Sequence, residues 1–102
     1  MKQFSPQISV EITLTPEELG GRKTPILQGE YRGVFTVGED SFSVRFCIPS
    51  EHVFSPSEAQ NFDVQFLVPE AATPHFPVGA VFTVWEGKDI GLGRVLKVFN
   101  NA

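Results

Sequence analysis

Cysteine is almost missing from this chain. Cys47 stands alone, so no disulfide can close within it, and a cytoplasmic setting is expected. Histidine is nearly as scarce. His52 and His75 are the only two. They fall in loops well apart, with no third ligand at metal-binding spacing, so no metal is expected. No apolar run approaches the roughly 18 residues that would suggest a membrane-spanning helix. The opening Met1-Lys2-Gln3-Phe4-Ser5-Pro6 has no apolar stretch of signal-peptide type. Positive charge is the minority sign. Lys and Arg number 8 against 12 Asp and Glu, a net charge of −4. Such a balance is ill suited to non-specific phosphate binding, and neither DNA nor a membrane is an expected partner, although a local basic patch stays possible.

What is plentiful is phenylalanine, with 10 residues in a chain of 102. Each buried ring removes roughly 150–250 Å² from water, enough for a small β core. The length allows one domain, residues 1–102, with one core. Period-two alternation recurs along it. Ile8, Val10, Ile12 and Leu14 alternate with Ser9, Glu11 and Thr13. Thr15-Pro16-Glu17-Glu18 suggests a helical turn with Thr15 as N-cap and Pro16 in first position, halted by Gly20-Gly21. Tyr31 to Val37 reads as a second strand and Phe42 to Ile48 as a third, with Gly38-Glu39-Asp40 turning between them. Ser50 to Gln60 is a polar connection, with a helical turn suggested at Ser55-Pro56-Ser57-Glu58. Phe62 to Val68 is a fourth strand, stopped by Pro69. Glu70 to Pro77 holds two prolines and reads as a loop. Val81 to Trp85 and Ile90 to Phe99 complete the set, joined by a turn at Glu86-Gly87-Lys88-Asp89. Gly91 and Gly93 inside the last strand suggest a bend or a close backbone approach. Six short strands with turns between them imply an all-β barrel, whose closure removes exposed edges.

Little in the sequence advertises chemistry. Cys47 lies on the polar phase of its strand with no identified base beside it, and reads as an inert small side chain. Gly91-Leu92-Gly93 lacks the third glycine and the following helix of a nucleotide fingerprint. Gly20-Gly21-Arg22-Lys23 is no phosphate loop, because no Gly-Lys-Ser/Thr completes it. Glu17-Glu18 belongs to a turn, and Glu86 facing Lys88 reads as an exposed hairpin pair. No catalytic residue and no cofactor are expected. The cations Arg22, Lys23, Arg32, Lys88, Arg94 and Lys97 admit two readings. They form a basic or mixed contact patch, or the arginines pin loops while the lysines coat a solvated face. Trp85 also admits two: an exposed contact anchor, or a cap on the barrel core.

Two blocks carry a resemblance. The first is Gly20-Gly21-Arg22-Lys23-Thr24-Pro25, followed by Gly29-Glu30-Tyr31-Arg32. The second is Val84-Trp85-Glu86-Gly87-Lys88-Asp89-Ile90-Gly91-Leu92-Gly93-Arg94-Val95. Together they resemble the C-terminal β-barrel domain of translation elongation factor Tu, over about Val10 to Val98. Lys23 stands where that family has His, Gly33 where it has Pro, and Trp85 where it has a basic residue. The resemblance implies a six-stranded antiparallel barrel standing without the GTPase part. It also implies a module that docks other proteins and does no chemistry. In the family this domain also touches tRNA. The corresponding positions here are Arg22, Glu86 and Gly87, while Val34 replaces the family's Gln. A protein-interaction module, linked to translation, is therefore the expected function, with tRNA binding the alternative. Its expected contact residues are Arg22, Lys23, Arg32, Trp85, Glu86, Gly87 and Arg94, carried by the two connecting segments.

Overall fold

The computed structural model describes residues 5–22, 29–48 and 58–99. Strands β1 (Ile8–Leu14), β2 (Gly29–Val37), β3 (Asp40–Ile48), β4 (Ala59–Phe66), β5 (Val81–Trp85) and β6 (Asp89–Val98) close into one barrel. Around the wall the order is β1-β4-β3-β2-β5-β6, and β1 closes the circle by pairing with both β4 and β6. Every pairing is antiparallel.

Alternation decides which way each strand faces. The even positions of β1, from Ile8 to Leu14, are all buried. Facing them are Phe46 and Val44 of β3, Phe62, Val64 and Phe66 of β4, and Phe82 and Val84 of β5. Phe35 is at the centre of the ring packing. It stacks on Phe82 at 4.2 Å between centroids and meets Phe46 and Phe76 at 6.3 Å. Gly93 makes room for this cluster, since a Cβ there would come within 2.2 Å of the Phe82 ring. The expected close approach in β6 is therefore a real one, and its cause is an aromatic ring lying against the glycine.

Three local expectations need correction. Glu70 to Pro77 is not a plain loop. It forms a short helix α1 (Pro69–Ala72) followed by a 3-10 turn, Thr73–His75. Pro69 does end the strand region, but it also starts the helix, because its fixed φ suits the first helical position. The segment lowers Phe76 into one mouth of the barrel, fully buried against Phe35, Phe66 and Phe82. Second, β4 starts at Ala59, inside the expected Ser50 to Gln60 connection, and stops at Phe66, not Val68. Val68 leads into α1 and is 49% exposed. Third, Thr15 caps nothing. Its N–H bonds to the Ile90 carbonyl at 2.8 Å, which extends the β1–β6 seam. The following turn is a 3-10 helix, Glu17–Leu19, with Pro16 in the cap position and no side-chain cap. The helical turn expected near Ser55 lies outside the described residues. No helix among the described residues is long and apolar enough to cross a membrane.

Candidate functional site

The mouth opposite Phe76 is built by the two segments that the sequence singles out. After β1, the 3-10 turn folds the chain back at Gly20, and Gly21 packs against the strand end. A Cβ on Gly21 would lie 1.7 Å from the Thr15 carbonyl oxygen, so only glycine fits. The Gly21 N–H bonds to the Pro16 carbonyl at 2.9 Å. This tight return delivers Arg22 to the β5–β6 hairpin, where its Nη1 meets Glu86 Oε2 at 3.2 Å.

The same Glu86 oxygen accepts a short hydrogen bond from the Tyr31 hydroxyl. Tyr31 faces the barrel interior from β2, its ring tilted against that of Phe46 with centroids 5.1 Å apart, and its hydroxyl reaches Glu86. Burial raises the Tyr31 pKa well above that of a free phenol, and the hydrogen bond and negative charge of Glu86 add to the rise, with Arg22 opposing it. The phenol therefore stays protonated and acts as a donor. One carboxylate thus joins residues 64 and 55 positions away in sequence. Both side chains of the Arg22–Glu86 pair are partly shielded from water, which makes it a stronger constraint than a free surface pair.

This arrangement replaces the expected Glu86–Lys88 pair. The carboxylate turns to Arg22 and Tyr31, and only backbone links the other two, from the Glu86 N–H to the Lys88 carbonyl at 2.8 Å. Gly87 forms the hairpin tip with φ +76°. Trp85 lies next to Glu86 on the outer wall, 44% exposed, opposite Val34 of β2 and Asp89 of β6. It does not cap the core.

Other expected residues do not join this cluster. Arg32 points outward from β2, and its Nε bonds to Glu30 at 2.6 Å. Glu30 also accepts from Arg45 Nη1 at 3.1 Å. Its hydrogen bond to Arg32 holds the carboxyl below the usual carboxylate range; desolvation opposes this, and the charges of both arginines and the hydrogen bond from Arg45 add to the lowering. Arg94 sits midway along β6, opposite Glu11 and Val81. Arg22, Arg32 and Arg94 therefore do not converge on one patch. Lys23 and His52 lie outside the described residues. Cys47 is exposed, in keeping with its polar phase. Among the described residues, no group of three or more His, Cys, Asp or Glu side chains could hold a metal ion.

Two residues of the neighbourhood escape pattern reading. Tyr31 opens the second strand and stands in the first block, yet it is not among the expected contact residues, although it is the only tyrosine. Arg45 reads as an outward polar residue, although it shares the Glu30 carboxylate with Arg32. Neither partner is visible in local spacing.

Fold and site together define a closed six-stranded barrel with an ion-paired, aromatic-flanked mouth. Neither the protein-family models nor the curated proteins compared with this chain give a match.

Proposed function

We propose that this chain is a non-catalytic protein-interaction module, similar to the C-terminal barrel domain of elongation factor Tu and working in the cytoplasm, in a process tied to translation. Its contact surface is the mouth formed by the Gly20–Arg22 return and the Trp85–Lys88 hairpin. The observation that carries this reading is the sharing of one Glu86 oxygen by Arg22 and Tyr31, which fixes two distant segments beside an exposed tryptophan. Tryptophan and arginine on a rigid frame are the side chains that anchor protein contacts. A protein partner is favoured over tRNA on charge. The chain is acidic overall, and Arg22 at this mouth is engaged by the Glu86 carboxylate rather than offered to phosphates.

The test is quantitative affinity capture from cell lysate with the wild-type chain and with the double variant Arg22→Ala, Trp85→Ala. Both sites are at the surface, so the variant is expected to keep its fold by circular dichroism. The reading requires that specifically captured proteins drop at least several-fold with the variant. An identical captured set contradicts it.

A further inference from the structure

The outer wall of the barrel carries two adjacent rows of side chains that run across the strands. Register defines them. In the first row Trp85 of β5 faces Val34 of β2, and Val34 faces Ser43 of β3. The Leu67 N–H bonds to the Ser43 carbonyl at 2.9 Å, which sets Leu67 at the far end of the row. In the second row Arg32 faces Arg45, and Arg45 faces Gln65. One row is apolar except for Ser43, and the next is cationic and polar. Ser43 is the smallest member of the first row, between Val34 and Leu67. The wall sinks there into a groove of about 520 Å³, lined by Arg32, Val34, Ser43, Arg45, Gln65 and Leu67.

The chemistry of the groove is specific. Leu67 is 76% exposed on its rim, an unusual place for a large apolar side chain. Arg45 is held by Gln65 at 2.7 Å and by Glu30. Arg32 gives only its Nε to Glu30, and both of its terminal nitrogens are without a hydrogen-bond partner among the described residues. These terminal nitrogens of Arg32 lie beside the apolar depression.

We infer that this groove receives a peptide segment of a partner protein that carries an acidic residue next to an apolar one. The apolar side chain sits over Ser43 between Val34 and Leu67, and the carboxylate accepts from the terminal nitrogens of Arg32. From Leu67 to Trp85 the first row crosses three strand spacings, about 14 Å, the length of roughly four extended residues. The inference rests on the reading of the chain as a protein-interaction module, and it adds a second contact area and the chemistry of what binds there.

The probe is a displayed library of random 12-residue peptides, followed by fluorescence anisotropy with the enriched sequences as labelled peptides. Enriched peptides should pair Asp or Glu with an adjacent large apolar residue. Ser43→Phe fills the depression at an exposed position and should weaken binding at least ten-fold. Arg32→Glu should shift selection toward Lys or Arg. Arg22→Ala should leave these peptides bound within about two-fold. Enrichment without acidic bias, no enrichment at all, or affinity unchanged by Ser43→Phe overturns the groove assignment. If binding is lost with Arg22→Ala but kept with Ser43→Phe, the groove is wrong while the mouth of the barrel stands as the contact surface. Indifference to both variants counts against both.

Discussion

Single residues carry constraints here that are steric before they are chemical. Gly93 is the sharpest in the core. Its missing side chain is the space that the Phe82 ring occupies, and Phe82 is itself buried and stacked on Phe35. Gly93→Ala should therefore destabilise the fold by about 1–3 kcal/mol, the usual cost of overpacking. Urea denaturation checks this, and an unchanged midpoint would contradict the close approach. The glycine pair in the last strand announces some such contact in the sequence, but the ring that fills it comes from another strand. Glu86 shows the opposite limit. Its chemistry is plain in the sequence, yet its partners are not, because local spacing offers Lys88 while the fold supplies Arg22 and Tyr31. Tyr31 also has a definite pH signature. Its folded pKa lies above the unfolded value, so its stabilising contribution is complete below about pH 10, where the unfolded phenol is also protonated. It is lost as pH rises toward the folded pKa.

At the scale of elements, the strands were legible and the plug was not. Alternation identifies β1, β3 and β5 because each has one buried and one wet face. It overruns β4, since Leu67 and Val68 continue an apolar pattern after the sheet has ended. The prolines of residues 69–77 read as loop punctuation, whereas Pro69 starts a helical turn followed by Glu70, Ala71 and Ala72. The role of that segment is to place Phe76. Four rings lie within 6.3 Å of it, those of Phe35, Phe42, Phe66 and Phe82. Phe76→Ala should remove about 3–5 kcal/mol of stability, the range for a fully buried ring. Loss of near-ultraviolet circular dichroism at lower temperature would accompany it. A cost under about 1 kcal/mol would mean that the plug is not part of the core.

For the whole molecule, closure turns a linear order of segments into two distinct ends. β1 is paired on both sides, so the first described strand seals the barrel. That seal brings the return after β1 beside the hairpin between β5 and β6, and leaves α1 and Phe76 at the opposite mouth. The sequence resemblance draws attention to the two segments, and the barrel is what makes them neighbours. The weld between them is the shared oxygen of Glu86. Because the chain has one tyrosine, its ionisation near 295 nm reads that weld without interference from a second phenol. The decisive measurement is an alkaline spectrophotometric titration of the wild type beside Glu86→Gln, with the folded state monitored at each pH. The wild-type phenol should resist ionisation well past pH 10 until the chain unfolds, and Glu86→Gln should ionise at lower pH while still folded. A wild-type phenol that titrates near pH 10 in the folded protein, unmoved by Glu86→Gln, would show that the two segments are not joined and would remove the proposed surface.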